Sequence, residues 1–379
     1  MAKKILGVGI IGCGNISASY LKLAPLFNNI VIKAVADINM DSANARAKEY
    51  GVKAQTVKEL LKNDDISIVI NLTVPAVHYK VSKQILQSGK HVYSEKPFVL
   101  SVKDGNDLVK LAKKKKLKVC SAPDTFLGGS HQLARKAIDD GKIGKIVSGT
   151  AHVMGHGMEH WHPNPDFFFV PGGGPILDMG PYYIANLVNF LGPVKRVAAL
   201  SGMAKKERII ANGPRNGEKL KVKTPTTYHA LLQFESGAMI TLSASWDVYA
   251  HKHQNMELYG SEGAMFVPDP NFFGGDVMVA GTDTKLSALT AWDHPFGKPN
   301  QKDGQGRDVA NYRCAGVADL ADAIVNKRDA RCSIDRALHG VDVMTSILKS
   351  SQTGKFVSIK TKCTKPKALG PDEARGLMK

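Results

Sequence analysis

The chain has 379 residues, 43% of them apolar and 22% charged, which is enough for about two globular domains. No stretch approaches the roughly 20 apolar residues of a membrane span, and five scattered cysteines without paired spacing indicate reduced thiols in the cytoplasm. The formal net charge of +17 comes from dispersed lysines without a basic, aromatic-rich stripe, so we expect a solvated surface and neither a nucleic-acid nor a membrane partner.

The first predicted strand, 5–11, runs into a glycine-rich turn, Gly12-x-Gly14-x-x-Ser17, and then into a helix. In a dinucleotide-binding turn the first glycine supplies the backbone angles and the second lets the main chain approach a pyrophosphate. A small third residue, here Ser17, lets the helix pack close to the strand. By itself the pattern is weak, because many such turns bind nothing.

A second predicted strand, 30–36, ends at Asp37. A carboxylate at this place accepts from the hydroxyls of an adenosine ribose and repels a 2′-phosphate. Neither Ile38 nor Asn39 supplies the positive charge that NADP would need. The sequence therefore predicts an NAD site, while Asp37 as an ordinary turn residue remains the alternative.

Strands and helical periods alternate through the first third of the chain. The predicted strands are 5–11, 30–36, 67–72, 90–93 and 117–121. This alternation predicts a doubly wound parallel sheet with helices on both faces. Pro123 marks the boundary, so we expect a Rossmann domain at 1–122 and a second domain at 123–379.

The fourth of these strands is followed by Glu95-Lys96-Pro97. Open α/β sheets bind their ligands at the carboxyl ends of the strands. Lys96 can transfer a proton or donate to a substrate oxygen if its surroundings lower its pKa. A surface ion pair between Glu95 and Lys96 is the alternative.

After Pro123 the pattern changes to longer strands rich in Val, Thr and Ala, which predicts a second α/β domain with a large, mainly antiparallel sheet. The predicted strands are 194–203, 221–234, 238–248, 255–259 and 264–268; the predicted helices are 130–140, 312–326 and 334–351. The polar segment 281–305 is predicted to be a long loop.

Three histidines and two acidic residues lie between His156 and Asp166. Trp161 offers a stacking face, and the imidazoles of His160 and His162 can bond sugar hydroxyls. Gly and Pro interrupt the segment, so the histidines share no regular face. We expect substrate contacts here and no metal; a metal site and a plain structural loop are the alternatives.

A glycine-rich segment, 172–174, opens a helix predicted to continue to Phe190. Asp178 and Tyr182 are four residues apart, so one helix would carry both on one face. A carboxylate and a phenol placed in this way can grip a polyhydroxylated substrate. The alternative, in which Asp178 caps the helix and Tyr182 is a core aromatic, remains open.

The motifs and their order resemble the glucose-fructose oxidoreductase/inositol dehydrogenase/rhizopine catabolism (Gfo/Idh/MocA) family over nearly the whole chain. They are the glycine turn with Asp37, Val74-Pro75-Ala-Val-His78, Glu95-Lys96-Pro97, Gly141-Lys-Ile-Gly144 and Gly173-Gly174-x-x-x-Asp178-x-Gly180. The resemblance implies an NAD(P)-dependent oxidoreductase whose second domain binds substrate. It also implies a homodimer or homotetramer assembled through the open sheet of that domain.

The resemblance maps the family's catalytic Lys onto Lys96 and the Asp of its glycine-rich helix onto Asp178. Family members usually carry His four residues later, where this chain has Tyr182, so we expect its phenol to replace that imidazole as the proton relay. The cofactor contacts implied are Gly12, Gly14, Asn15, Ile16, Asp37, Thr73, Pro75, His78, Glu95 and Lys96. Asp124 and Thr125 are expected to face the substrate, although no family role carries over to them.

The expected reaction is hydride transfer between nicotinamide and a secondary hydroxyl or ketone of a sugar, inositol or glycoside. An NAD-dependent glycosidase that oxidises its sugar only transiently is one alternative. A nucleotide-binding regulator without turnover is the other.

Overall fold

The computed structural model describes residues 4–379 and divides the chain into two compact units. The first unit contains residues up to Gly129 together with 293–341 and 366–379. The second contains 130–292 and 342–365. The expected second domain, 123–379, includes three segments of this first unit: 123–129, 293–341 and 366–379.

Buried contacts explain why the chain returns to the first unit. Asp124 is almost completely buried, and its Oδ2 accepts from the backbone N–H groups of Cys314 and Gly316 at 3.2 and 2.9 Å. The helix that begins at Ala315 then packs against two strands of the first sheet. These contacts join residues about 190 positions apart, which local sequence patterns do not reveal.

The first unit is built on six parallel strands in the order β3-β2-β1-β4-β5-β6, which confirms the predicted Rossmann architecture. The strands are β1 (Leu6–Ile11), β2 (Ile30–Ala36), β3 (Lys53–Ala54), β4 (Ile68–Asn71), β5 (His91–Ser94) and β6 (Val119–Ser121). The helices among them are α1 (Asn15–Leu23), α2 (Met40–Tyr50), α3 (Val57–Lys62), α4 (His78–Gln87) and α5 (Val102–Lys115). Every residue of β1 is buried, as expected for a central strand covered on both faces.

The second unit contains a nine-stranded sheet in the order β16-β15-β14-β13-β7-β12-β11-β8-β19. Its strands are β7 (Ile146–Met154), β8 (Val194–Gly202), β11 (Thr227–Phe234), β12 (Met239–Ser245), β13 (Met256–Gly260), β14 (Gly263–Val267), β15 (Met278–Ala280), β16 (Leu286–Ala288) and β19 (Val357–Ser358). Strands β7 and β12 pair in parallel and the other neighbours are antiparallel, so the predicted mainly antiparallel sheet is confirmed.

The remaining elements are short strands and helices. Strands β9 (Glu207–Ile209) and β10 (Lys219–Lys221) form one hairpin, and β17 (Gln301–Lys302) and β18 (Asp308–Val309) form another. The helices are α6 (Gly129–Asp139), α7 (Pro175–Asp178), α8 (Gly180–Leu191), α9 (Ala315–Val325), α10 (Ile334–Thr353) and α11 (Pro371–Arg375). In the described part of the chain, none of the helices is long and apolar enough to cross a membrane.

One face of the large sheet is open. Along β11 the side chains of Tyr228, Ala230 and Leu232 are buried, whereas His229 and Leu231 point to the exposed side. Leu200 on the neighbouring strand is exposed as well. This is the face that the family resemblance assigns to oligomer contacts, and the assignment stays a prediction.

Some element boundaries differ from the sequence predictions. The strand predicted at 221–234 is divided between β10, which ends at Lys221, and β11, which begins at Thr227. The helix predicted to run through Asp178 to Phe190 is interrupted at Met179, because Pro181 lacks the N–H that a continuous helix requires. The segment predicted as a loop, 281–305, contains the short strands β16 and β17.

Candidate active site

The glycine turn after β1 has the geometry expected of a nucleotide-binding turn. Gly12 has a φ of +105°, and a Cβ on it would lie 2.6 Å from the carbonyl carbon and oxygen of Leu72. Any other residue would therefore clash with the backbone that follows β4. The turn needs glycine at this position for both its angle and its space.

The start of α1 is open toward solvent. Gly14 precedes the helix, no heavy atom lies within 4 Å of where its Cβ would stand, and no side chain caps the helix. Ser17 is buried and its hydroxyl donates to the carbonyl oxygen of Gly14 at 2.6 Å. Asn15 is exposed and Ile16 is half-buried, so the first turn presents its amides beside accessible side chains.

Asp37 is bonded to the glycine turn itself. Its Oδ2 accepts from the N–H of Cys13 at 2.7 Å, and its Oδ1 accepts from the N–H of Asn39 at 2.9 Å. Burial and the nearby Asp37 carboxylate raise the pKa of the Cys13 thiol to about 11, so this cysteine stays protonated at neutral pH. Asp37 therefore shapes the turn in addition to its predicted contact with a ribose.

These features fit a dinucleotide. Gly12 provides the tight turn, the uncapped start of α1 provides amides for a pyrophosphate, and Asp37 stands at the carboxyl end of β2. The side chain of Ile38 is 99% exposed beside that carboxylate and carries no charge. The chemistry of this edge suits NAD.

His78 lies within the protein beside two backbone carbonyl groups, and its expected contact with the cofactor stays a prediction. Its side chain is buried; Nδ1 lies 2.7 Å from the carbonyl oxygen of Pro97, and Nε2 lies 2.8 Å from that of Thr73. Burial lowers the pKa of His78, and the two carbonyls act in the opposite direction. The imidazole thereby connects the turn after β4 to the segment that carries Lys96. Thr73 and Pro75 are half-buried on that turn.

Glu95 is likewise buried, and its carboxylate is occupied within the protein. Oε1 accepts from the hydroxyl of Tyr20 at 2.9 Å, and Oε2 accepts from the backbone N–H of Lys96 at 2.8 Å. Glu95 therefore positions Lys96, and its expected contact with the cofactor stays a prediction. Lys96 itself is half-buried beyond the end of β5.

Sequence reasoning missed Tyr20. It lies three residues after Ser17 on the buried face of α1, and that spacing is the signal that could have directed attention to it. Tyr20 lies on α1, the helix that directly follows the glycine turn. The turn and the Lys96 segment are thus joined through one hydrogen bond.

Asp124 and Thr125 are buried, and their expected contact with the substrate stays a prediction. The Asp124 carboxylate accepts backbone N–H groups at the start of α9. Burial raises its pKa to about 6, and the bond from Gly316 acts against that rise. The residue has a structural role in returning the chain to the first unit.

The second unit provides Asp178 and Tyr182. Asp178 is the last residue of α7 and is half-buried, and Tyr182 is buried in the first turn of α8. The interruption at Met179 means that they do not belong to one regular helix.

The segment 156–162 precedes this region, and its side chains differ in exposure. Trp161 is 54% exposed, and the exposed imidazole of His160 stacks at a tilt on that of His156, with ring centroids 4.0 Å apart. His162 is half-buried between aromatic rings. Trp161 and His160 are therefore accessible to a ligand, as a substrate contact requires.

A buried ion pair supports this segment. Arg208 donates to Oε1 of Glu159 at 2.7 Å and to the carbonyl oxygen of His156 at 3.1 Å, and it also bonds Asp247. Gly157 has a φ of +112°, and a Cβ there would lie 2.2 Å from Oε2 of Glu159. No sign of this ion pair is visible in the sequence, because Arg208 is a single arginine on the short strand β9. Within residues 4–379, no group of three or more His, Cys, Asp or Glu side chains has an arrangement suited to a metal.

Two family profiles match the chain. Residues 6–122 match the oxidoreductase family with an NAD-binding Rossmann fold, and residues 131–266 match the GFO/IDH/MocA C-terminal domain, together about two thirds of the sequence. The chain belongs to the Gfo/Idh/MocA family. The resemblance read from its motifs is confirmed, and the NAD expected as cofactor is the ligand of the family's Rossmann domain.

Relatives within the Gfo/Idh/MocA family are distant. An uncharacterized oxidoreductase of Schizosaccharomyces pombe is 31% identical over 41% of this chain and 42% of its own length. The myo-inositol 2-dehydrogenase of Thermotoga maritima is 22% identical over 68% of this chain and 74% of its own. The first three curated relatives are matched over 42% to 61% of their lengths.

Solved structures of oxidoreductases share the fold. Levoglucosan dehydrogenase in complex with NADH and L-sorbose superposes with a TM-score of 0.78 at 21% identity, covering 94% of this chain and all of the other. At this identity the likeness establishes the architecture and leaves the substrate to be argued from the site.

Proposed function

We propose that this protein is an NAD-dependent oxidoreductase that interconverts a secondary hydroxyl and a ketone of a sugar or polyol. The observation that carries the proposal is the placement of Lys96. It follows β5 in the same parallel sheet whose β1 and β2 lead into the glycine turn and Asp37, so these groups share one sheet edge. Glu95 and His78 hold its backbone neighbours there.

The candidate residues would have distinct chemical roles. NAD supplies the hydride acceptor when it is bound. Lys96 binds the reacting oxygen and handles its proton, a role that requires a positioned amine of suitable pKa. Asp178 accepts from a substrate hydroxyl, and the Tyr182 phenol donates to one. Trp161 and His160 provide a stacking face and a polar contact for a sugar ring.

The names of the relatives support a sugar or polyol as the substrate class. One acts on myo-inositol and another on levoglucosan, both of which carry several secondary hydroxyls. We also propose that NAD is preferred over NADP because Asp37 would repel a 2′-phosphate. We further propose that the protein assembles into a homodimer or homotetramer through the open face of the large sheet. We also propose a cytoplasmic location.

A substrate screen tests the function. The wild-type protein is incubated with excess NAD and a panel of sugars, inositols and glycosides while absorbance at 340 nm reports NADH. The proposal predicts that free NADH accumulates with at least one compound. Release of an aglycone without NADH would favour the glycosidase alternative, and NAD binding without any turnover would favour a regulator.

A further inference from the structure

An exposed loop of the second unit, 249–254, lies between β12 and β13, and its two ends are bonded to β7 and the residue after it. The N–H of Val248, just before the loop, donates to the carbonyl oxygen of Gly155 at 2.9 Å. The N–H of His152 donates to the carbonyl oxygen of Asn255, just after the loop, also at 2.9 Å. The loop therefore begins and ends at fixed points beside one strand.

A stack of imidazole rings holds this loop against the sheet. His152 and His253 lie face to face, with ring centroids 4.0 Å apart and planes inclined by 11°. His251 forms a second stacked pair with His253, with centroids 6.1 Å apart. His152 is buried, whereas His253 is exposed. The imidazole of His253 therefore covers that of His152.

The first residue of the loop contacts the segment that is predicted to bind the substrate. Tyr249 stacks on His156, with centroids 6.0 Å apart and planes inclined by 20°. His156 in turn lies against His160, with centroids 4.0 Å apart. Ring contacts at both ends of one short loop thus connect the buried His152 to His160, which the proposed function places beside a sugar.

The stacked arrangement suits only a neutral His152. Its Nδ1 is buried and, among residues 4–379, has no hydrogen-bond partner. A neutral ring with its proton on Nε2 leaves only a lone pair at Nδ1. An imidazolium would place a charged N–H there without an acceptor, which costs far more free energy. Protonated His152 therefore needs contact with water that the stack denies.

The groups around His152 also oppose its protonation. They are His229 on β11, the uncharged Ser243 on β12, Glu257 on β13, Tyr183 on α8, and His251, Lys252 and His253 on the loop. Burial lowers the pKa of His152, the neighbouring histidines lower it further, and Glu257 acts in the opposite direction. The carboxylate of Glu257 is already bonded to the hydroxyl of Tyr259.

We propose that His152, His253 and the loop 249–254 form a pH-responsive clamp that positions the substrate segment 156–160. While His152 is neutral, the stack holds the loop, and Tyr249 keeps His156 in place. When His152 is protonated, its ring has to reach water, so His253 leaves the stack and the loop moves away from the segment.

The direction of the pH response follows from burial. Because the pKa of His152 is lower in the stack than in the open loop, the closed form is complete above the ordinary histidine pKa of about 6.5. It is lost as the pH falls from there through the lowered pKa. The effect on catalysis rests on the proposed function, whereas the clamp itself does not.

Three variants separate the clamp from folding. His152→Phe keeps a ring beneath His253 but cannot be protonated, so it should hold the loop closed at every pH. His253→Ala, at an exposed position, removes the cover and should leave the loop open at every pH. His229→Gln is the matched control, since His229 lies in the same row of the sheet but is bonded to Ser243 and stands outside the stack.

Hydrogen exchange followed by mass spectrometry tests the clamp without any ligand, at about pH 7.5 and about pH 5.5, with rates corrected for intrinsic amide chemistry. Protection of 249–255 and of 156–161 should fall several-fold at the lower pH in the wild type and in His229→Gln. It should stay high in His152→Phe and low in His253→Ala at both pH values. Equal protection of the wild type at both pH values, or a response that His152→Phe or His253→Ala retains, would overturn the clamp.

Kinetics test the positioning role on any substrate that the wild type turns over. The KM for that substrate should rise several-fold between about pH 7.5 and about pH 5.5 in the wild type and in His229→Gln, and much less in His152→Phe. An equal rise in His152→Phe would refute the role. A wild type without turnover would refute the proposed function and this role with it, while hydrogen exchange still decides the clamp.

Discussion

The hydroxyl of Tyr20, on the helix that opens with the glycine turn, donates to Oε1 of Glu95 at 2.9 Å, directly before Lys96 in the chain. The other carboxylate oxygen of Glu95 accepts from the N–H of Lys96. The nucleotide turn and the proposed catalytic lysine are therefore connected by two hydrogen bonds through one buried carboxylate.

Tyr20→Phe should weaken that connection. Loss of a buried bond to a charged group should lower the free energy of unfolding by about 2 kcal/mol, and displacement of the Lys96 segment should lower kcat about tenfold or more. Urea denaturation and steady-state kinetics measure the two effects.

Tyr93→Phe is the matched control for Tyr20→Phe. The two rings meet edge-on with centroids 6.4 Å apart, but the Tyr93 hydroxyl is buried and, within residues 4–379, has no hydrogen-bond partner. Its removal should leave kcat unchanged and stability equal or higher. Equal kinetic losses in both variants would mean that ring packing, and not the bond to Glu95, matters.

Nucleotide preference should depend on Asp37 and Ile38. The wild type should bind NAD more tightly than NADP. Asp37→Ser with Ile38→Arg should improve NADP binding roughly tenfold, ~1.4 kcal/mol, because a guanidinium replaces a repelling carboxylate. Tryptophan fluorescence titration gives both dissociation constants. Asp37→Ser with Ile38→Gln controls for loss of the carboxylate alone, and tighter NADP binding by the wild type would contradict the assignment.

Tyr182 and Tyr183 are neighbours in α8 and should respond differently to loss of the hydroxyl. Tyr183 donates to the carbonyl oxygen of His152 at 2.8 Å, so Tyr183→Phe should lower stability by about 1 kcal/mol and leave kcat unchanged. Tyr182→Phe should lower kcat about tenfold with little change in the thermal midpoint. A fully active Tyr182→Phe would make this residue a core aromatic and leave Lys96 and Asp178 as the candidate catalytic residues.

Acid should destabilise the protein through buried histidines. Burial lowers the pKa of His131 to about 4, and that of His294 likewise to about 4, from an ordinary value of 6.5. Between pH 4 and 6.5 the unfolded chain therefore binds more protons at these histidines than the folded protein does. The stability from each group is complete above pH 6.5 and is lost as pH falls through 4, by ~3 kcal/mol each.

The contribution of His131 can be isolated with His131→Gln, which keeps a donor for the carbonyl oxygen of Phe272. Asp124, whose pKa burial raises to about 6, has the opposite sign, since its stability is lost as pH rises through 6. Because His131→Gln removes the histidine that titrates, it should lose less unfolding free energy between pH 7 and pH 4 than the wild type. Identical losses in urea titrations would refute the assignment.

The parallel sheet could be predicted because its strands, such as the fully buried β1, appear as apolar runs, and the turn could be predicted because Gly12 has no steric alternative. The roles of Asp124 and Tyr20 could not be predicted, because their hydrogen-bond partners lie 190 and 75 residues away in the chain. Motif position placed Glu95 and His78 near the cofactor, but it could not reveal that their polar atoms are bound within the protein.

The interruption of the predicted helix at Met179 was visible in principle. Pro181 stands two residues later, and its missing N–H is a known signal for a helix start. The surroundings of His162 were not visible, because they include a backbone N–H and aromatic rings that only the fold brings around it. Local chemistry was thus predictable where one residue determines it, and unpredictable where several segments do.

The most direct test of the central claim compares wild type with Lys96→Ala on one substrate from the panel, measuring NADH formed, ketone formed and NAD affinity. We expect the wild type to form one NADH per ketone. We expect Lys96→Ala to be on the order of 100-fold slower or more with nearly unchanged NAD affinity, as loss of a positioned acid-base group typically causes. A Lys96→Ala variant with normal turnover, or a wild type that forms no NADH with any sugar or polyol, would contradict the account.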